Sequence, residues 1–362
     1  MNYNDALKVI NDKKRLGIMP GLARIMNILD YMGNSQEKLS IIHIAGTNGK
    51  GSVANMIANA LMKSGKRVGL FTSPYVADYR EQIQLNGEPI PEKVLADYIN
   101  AYADFEATEF ELLTAIMYKY FSDSDVDYAV VECGMGGLED ATNTESRNLS
   151  VIASVSLDHT DFLGGSIEEI ARQKAGIIKD NSICVLYPNP ETDYVFEKAC
   201  KEKNAKLVRV SDCGDFRQNN LETANAVLRE LGINETAEYP SLPARQERIG
   251  GVLLDGGHNA EAAKALAPLL ENEVALIAML KDKDVDEYLS NVAVKCKRII
   301  ATQVDNFRAM PADDLARIAR KFCGDVISID NPREALAYAK GQGLTLVCGS
   351  FYLAQEIRKD LL

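Results

Sequence analysis

An apolar run at 41–45 (IIHIA) passes directly into Gly46-Thr47-Asn48-Gly49-Lys50-Gly51-Ser52, and then into a segment where Val53, Met56, Ile57, Ala60 and Leu61 recur at helical spacing. The succession predicts a buried strand, a glycine-rich turn and an amphipathic helix starting at Ser52. Few folds accept it. Glycines let backbone N–H groups turn toward a phosphate without steric cost, and a helix start adds partial positive charge, so the segment demands an α/β sheet with an anion site at a strand end. Lys50 can reach the β- and γ-phosphates of a nucleotide, and the Ser52 hydroxyl is placed to ligate Mg²⁺. The strict Walker spacing is not met, because Ile44 holds the first glycine position and Gly51 follows the lysine. The alternative is a plain turn carrying a surface lysine.

The rest of the chain supports the α/β reading. Further strands are expected over 127–134 (DYAVVECG) and 151–158 (VIASVSLD), both running into polar, glycine-containing loops. In the second half, strands are expected over 251–254, 274–280, 298–302, 326–329 and 344–348. Helices are expected over 260–270, 311–322 and 332–340, with a last one from Phe351. At 362 residues, a prior of about 150 residues per domain gives two domains. The aperiodic, proline-containing stretch 234–246 is the natural linker, placing the domains at 1–239 and 240–362.

A formal net charge of −12 excludes duplex nucleic acid as the expected partner, since such binding needs a basic face. The N-terminal stretch lacks the apolar core of a secretory signal, and the longest apolar runs fall far short of the ~20 residues that span a bilayer. Seven cysteines, never spaced as CxxC, read as reduced thiols of a cytoplasmic protein. Glu132, closing an apolar strand, is costly there unless paired or metal-bound. His159, one of only three histidines, is either a hydrogen-bonded core residue or a functional one.

Beyond these features, a series of ordered motifs runs nearly end to end: GLARIMNILDYMGN (21–34), HIAGTNGKGS (43–52), SPYVADYREQIQLNG (73–87), TEFELLTA (108–115), ECGMGGLEDATN (132–143), SLDHTDFLG (156–164), IARQKAGIIK (170–179), PARQE (243–247), LLDGGHN (253–259), LKDKD (280–284) and CGSFYLAQEIR (348–358). The series resembles the folylpolyglutamate synthase / dihydrofolate synthase family of the Mur ligase superfamily. That resemblance implies an N-terminal P-loop ATPase domain with a parallel sheet, a smaller C-terminal Rossmann-like domain and an active site in the cleft between them. It implies an ATP-dependent ligase that activates dihydropteroate or a folate γ-carboxylate as an acyl phosphate and joins it to L-glutamate, in a protein that is family-like as a monomer.

Residue by residue, the resemblance implies that 46–52 and Lys50 hold ATP, and that Ser52, Glu132 and His159 place two Mg²⁺ ions. It implies that Lys174 is carbamylated to serve the second ion; the alternative is an ordinary surface lysine. Asn220 would lie near the adenine, Arg245 on the phosphates and Asp255 near the ribose. His258 and Ser350 would line the amino-acid side, with Asp140 near the chemistry and Ser73, Pro74, Tyr75 and Phe110 on the substrate side. The sequence also departs from the family pattern. Tyr75 stands where a histidine is usual, Gln82 and Leu138 where arginines are, Gln173 where a glutamate is, and Phe216-Arg217 where His-Gln is. Between Lys179 and Pro243 there is room for a strand–helix unit and the Asn220 helix, but not for the family's small β-region. Two alternatives to the folate assignment therefore stay open: a related ligase with another acid, and a non-catalytic nucleotide-binding protein.

Overall fold

Strand β1 (Ile41–Ala45) is buried at every position and forms the middle of an eight-stranded sheet. The computed structural model describes residues 2–17 and 19–362. The other strands of this sheet are β2 (Val68–Phe71), β3 (Ile83–Leu85), β4 (Glu88–Pro89), β5 (Tyr128–Glu132), β6 (Leu149–Ile152), β7 (Ile183–Leu186) and β8 (Lys206–Arg209), in the order β4-β3-β2-β5-β1-β6-β7-β8. From β2 to β8 the pairing is parallel, and the β3–β4 hairpin adds an antiparallel edge that the sequence reading did not include. Because β5 and β6 flank β1, the glycine loop leaves the sheet where the chain turns to opposite sides, the usual ligand position in such sheets. Helix Lys50–Lys63 buries Val53, Met56, Ile57, Ala60 and Leu61, packing them with Ala224, Val227 and Leu228 of helix Phe216–Glu230. At about 1.5–3 kcal/mol for each large side chain buried, this stripe anchors the loop to a rigid element.

The helix begins two residues earlier than its periodicity predicted, at Lys50, with Gly49 as its N-cap. β6 is a larger correction: it stops at Ile152 instead of running to Asp158. The reason is competition for the backbone. Beyond Ala153, the Ser154 carbonyl accepts the Thr47 N–H at 2.6 Å and the Val155 N–H goes to Asn189 Oδ1 at 2.8 Å, so the chain is taken up by the glycine loop and a side chain instead of the sheet. Asp158 and His159 therefore sit in a loop, well beyond the strand end. The stretch between Lys179 and Pro243 also holds one strand more than expected, since β8 follows helix Asp193–Glu202.

The described residues divide into two compact units: the chain up to Ser73 with Arg80–Pro240, and Pro74–Tyr79 with Ser241–Leu362. The second unit carries β9 (Glu247–Ile249), β10 (Val252–Asp255), β11 (Glu273–Ile277), β12 (Cys296–Ala301), β13 (Val326–Ser328) and β14 (Leu346–Cys348), ordered β13-β12-β11-β14-β10-β9. All pairs are parallel except β9 on β10. β9 and helix Val285–Val292 were not anticipated. The excursion Pro74–Tyr79 joins this unit through Val76, part of its apolar core, and through the Tyr75 carbonyl, which accepts from Gln355 Nε2 at 2.7 Å. No described helix is long and apolar enough to cross a membrane. All seven cysteines are free thiols, and only Cys213 is exposed.

Candidate active site around the glycine loop

Two of the loop's glycines, Gly46 and Gly49, are sterically required. Gly49 has φ +82°, and a Cβ there would lie 2.7 Å from Asn220 Oδ1; at Gly46 it would lie 2.7 Å from Ala153 Cβ. The same packing brings Asn220, from helix Phe216–Glu230, against the loop. Thr47 and Asn48 shape the loop more than they present it: Thr47 N–H goes to the Ser154 carbonyl, its hydroxyl donates to the Ser156 carbonyl at 3.0 Å, and Asn48 N–H goes to Ser154 Oγ at 3.3 Å. The anion-binding donors are then those of the first turn, Lys50 to Ser52. That helix end has a glycine N-cap and no side-chain cap, leaving its N–H groups for a ligand. The Lys50 ammonium lies across the loop, donating to the Gly46 and Thr47 carbonyls at 3.0 and 3.2 Å.

Two of the three residues expected to hold metal, Ser52 and Glu132, flank this loop. Ser52 is buried in the first helical turn. Glu132 ends β5 beside Ile44, buried, and accepts the Ser73 N–H at 3.0 Å. His159 takes a left-handed backbone conformation (φ 51°) at the start of the short helix Thr160–Leu163, with its N–H on Asp158 Oδ1. Among the described residues no three His, Cys, Asp or Glu side chains form a metal cluster. The donors present nevertheless suit magnesium, which takes oxygen ligands, keeps several waters and needs only one or two carboxylates.

Lys174 is not a surface lysine. On helix Ile167–Ala175, which starts at a Ser166/Glu169 capping box, it is 2% exposed. Burial, helped by the nearby charge of Lys50, pulls its ammonium down to about 7, against the opposing influence of Cys133, Asp158 and Asp140. A substantially neutral amine near pH 7 is a nucleophile, as carbamylation requires. Asp140 is buried and turned inward on its own loop: Oδ2 accepts the Met135 N–H at 2.7 Å, and Oδ1 accepts the Thr142 N–H at 3.0 Å and the Thr142 hydroxyl at 2.5 Å. Phe110 stands against Gly134, where a Cβ would meet its ring at 2.6 Å, and 5.8 Å from the Phe71 ring. Of the departures, Gln82 is buried, Leu138 is half exposed, and the Arg217 guanidinium lies over the Tyr239 ring at 5.5 Å.

In the second unit, Arg245 projects from a strained turn: Ala244 and Gln246, its neighbours, both have positive φ (54° and 51°). The turn is held by Ala244 N–H to Glu247 Oε2 (2.9 Å), Gln246 N–H to Asp255 Oδ2 (3.0 Å) and Gly256 N–H to the Ala244 carbonyl (2.8 Å). Glu247 is itself fixed by a two-pronged bond to Arg358 at 2.9 and 2.6 Å. Strain of this kind persists only where surroundings over-determine it, and it concentrates at functional sites. Burial raises the Asp255 carboxyl above the usual range, opposed by the N–H groups of Gly257 and Gln246. Phe351, which sequence reasoning did not single out, is the shared platform here. The Arg245 guanidinium lies 4.9 Å from its ring centroid, and the His258 ring meets it edge-on at 6.3 Å. Ser350 caps helix Phe351–Leu361 through the Tyr352 N–H.

The Mur ligase middle domain matches residues 44–260, and the Mur ligase, glutamate ligase domain matches 244–351. Together with the glycine loop and the two parallel-rich sheets, these matches define a Mur-type ATP-dependent ligase. The chain is 31% identical to the folylpolyglutamate synthase of Lacticaseibacillus casei, over all of this chain and 99% of that one, and 30% identical to the dihydrofolate synthase/folylpolyglutamate synthase of Bacillus subtilis, covering 99% of each. E. coli FolC in complex with DHPP and ADP superposes with a TM-score of 0.88 at 27% identity, covering 98% of this chain and 97% of that one. The Mycobacterium tuberculosis folylpolyglutamate synthase complexed with ADP and AMPPCP gives 0.86 at 27% identity, over 98% and 99%. The chain belongs to the folylpolyglutamate synthase / dihydrofolate synthase family.

Proposed function

We propose that the protein joins L-glutamate to dihydropteroate, to the γ-carboxylate of a folate, or to both, at the expense of ATP. The observation that carries this is the glycine-capped helix end with Lys50 across it, beside buried Glu132 and the half-neutral, buried Lys174, in a chain whose relatives are synthases of this kind.

In this reading the acid's carboxylate attacks the γ-phosphorus of ATP, ADP departs, and an acyl phosphate results. The glutamate amine then adds to the acyl carbon, phosphate leaves, and the amine's proton is lost to give the amide. Lys50 and the N–H groups of its helix start offset charge on the transferring group. Ser52, Glu132 and His159 would hold magnesium, two ions if a carbamate on Lys174 completes the second site, and the metal would supply charge neutralisation and alignment of the phosphates. Asn220 borders the base, Arg245 a phosphate and Asp255 the ribose. His258 and Ser350 serve the amino acid, Ser73, Pro74, Tyr75 and Phe110 the acid, and Asp140 orders the loop beside Lys174. We place ATP binding in residues 1–239 and the ligase domain in 240–362, and the protein in the cytoplasm as a monomer.

The test is phosphate release from Mg-ATP with dihydropteroate plus glutamate, and separately with tetrahydrofolate plus glutamate. Release that requires the complete mixture for at least one pair supports the assignment. Stimulation by neither pair overturns the folate substrate, and the exposed Leu138 in place of a usual arginine would then point to another acid.

A further inference from the structure

His43 lies in the middle of β1, in an otherwise apolar strand, and is wholly buried. Its Nδ1 is 2.9 Å from Glu145 Oε1, and its Nε2 is 2.7 Å from Thr142 Oγ1 and 3.1 Å from Cys133 Sγ. Cysteine, histidine and glutamate in contact have the composition of a nucleophilic triad. With exposures of 1%, 0% and 3%, however, no substrate reaches them, and the arrangement must act through its neighbours.

Counting protons fixes what it does. Both Asp140 oxygens accept, from the Met135 and Thr142 N–H groups and the Thr142 hydroxyl, so Asp140 is a carboxylate. The single Thr142 hydroxyl proton therefore goes to Asp140, and toward His43 that oxygen offers only a lone pair. Read as a donor, Nε2–H meets the Thr142 oxygen at 2.7 Å with the Cys133 sulfur beside it at 3.1 Å. Glu145, held below the usual carboxylate range by His43 and Lys179 against its own burial, accepts from Asn148 Nδ2 at Oε1 (2.7 Å), so Nδ1 carries a proton too. With both nitrogens as donors the ring is an imidazolium. Burial alone would lower its pKa, but the Cys133 sulfur and the Glu145 carboxylate reverse this and hold it up at about 10, while Glu145 is lowered by His43 against its own burial. The remaining groups around the cluster are Lys179, whose ammonium is 4.0 Å from Glu145 Oε1, and Tyr118, whose hydroxyl donates to the Thr142 carbonyl at 2.6 Å.

The loop that Asp140 gathers starts directly after Glu132 and packs on the Lys174 helix. Leu138 N–H bonds the Gln173 carbonyl at 2.7 Å, and a Cβ on Gly137 would lie 3.0 Å from the Lys174 carbonyl. We propose that His43 is a positioning residue for ligation: its two donors, one on Glu145 and one on Thr142, orient the Thr142 hydroxyl toward Asp140 and so fix the loop between Glu132 and Lys174. The inference rests on the functional reading above, because it gives that loop its importance.

Thr142→Val removes the hydroxyl at constant shape and is the main variant, with His43→Gln as its partner, since the latter leaves buried Glu145 with only Lys179, 4.0 Å away, as counter-charge. Three readouts are combined. Nitrogen-15 spectra of histidine-labelled wild type, with only three histidines to assign, show one buried ring with both nitrogens protonated at pH 7.5. Hydrogen exchange over residues 133–143 is faster in Thr142→Val by more than its lowered global stability accounts for, since Asp140 and His43 each lose a buried partner. Ligation kcat falls about 10- to 100-fold, as when other supporting hydrogen bonds of active sites are cut, with KM for ATP within about 2-fold, and the double variant is no slower than the slower single one. A neutral His43 ring, exchange in Thr142→Val no faster than its global stability accounts for, or additive losses in the double variant would each overturn the proposal. Absence of ligation by the wild type would instead sink the folate assignment, while the spectra and the exchange data still judge the His43 linkage.

Discussion

Lys174→Met should make the protein more stable and inactive at once. Burial and the Lys50 charge bring the Lys174 ammonium from 10.5 to about 7. At about 1.4 kcal/mol per tenfold change in affinity for the proton, that difference amounts to roughly 5 kcal/mol of folding free energy withheld when the group is charged. Relaxation around a buried charge trims such penalties, so about 2–5 kcal/mol is expected. The sign follows from proton counting. Between pH 7 and 10.5 the unfolded chain holds the lysine proton and the folded chain has lost it, so wild-type stability rises with pH across that window and the full penalty stands below about 7. Methionine carries no charge at any pH. The variant should therefore exceed the wild type by the full amount at pH 6–6.5, by less as pH rises, and by little near 10.5. The chain has no tryptophan, so urea unfolding is followed by far-ultraviolet circular dichroism, in carbon-dioxide-free buffer without nucleotide, from pH 6 to 10.5. Comparing variant with wild type cancels the other titrating groups. A stability difference that is flat with pH, or a variant less stable at pH 6.5, would refute the reasoning; retained ligation would refute the role given to Lys174.

Lys50→Ala should reduce turnover on the order of 10²–10³-fold, the loss typical of removing one charge-stabilising donor, with an unchanged unfolding midpoint, because its side-chain bonds go only to its own loop; both are read by phosphate release and denaturation. Gly49→Ala, at φ +82° and 2.7 Å from Asn220 Oδ1, should cost about 1–2 kcal/mol of stability from the left-handed backbone alone and should abolish nucleotide binding by calorimetry. Phe351→Leu removes the ring under Arg245, worth about 0.5–1 kcal/mol as a cation–π contact, and should raise KM for ATP about 2- to 5-fold with little change in midpoint.

How much of this was legible in the sequence depended on whether one local pattern controlled the outcome. β1, its loop and the following helix were readable because a continuous apolar run, glycine placement and helical spacing all agree over residues 41–63. The parallel strands of the second unit were readable as isolated apolar runs. β6 was misread because Ser154, although in a strand-like run, gives its carbonyl to Thr47, a partner more than a hundred residues earlier. β9 and the β3–β4 hairpin are too short to show a period, and the excursion Pro74–Tyr79 is tied in by long-range contacts, among them buried Val76 and a side-chain bond from Gln355. Among site residues, Asn220 lies against the glycine loop, whereas the resemblance had implied only a place near the adenine. The burial of Lys174, which separates a reactive amine from a surface one, has no local signature. His43 carried a signal, a histidine inside a wholly apolar strand, but its partners Thr142 and Glu145 could not be chosen without the fold. Phe351 carried none.

The central claim is that the acid's own carboxylate takes the γ-phosphoryl group before the amide forms. It is tested most directly with acid substrate labelled with oxygen-18 in both carboxylate oxygens, ATP, magnesium and glutamate, followed by mass analysis of the released phosphate. Phosphate carrying one heavy oxygen per molecule, with the other retained in the amide product, is the predicted result. Amide formed alongside phosphate that carries no label would contradict the account.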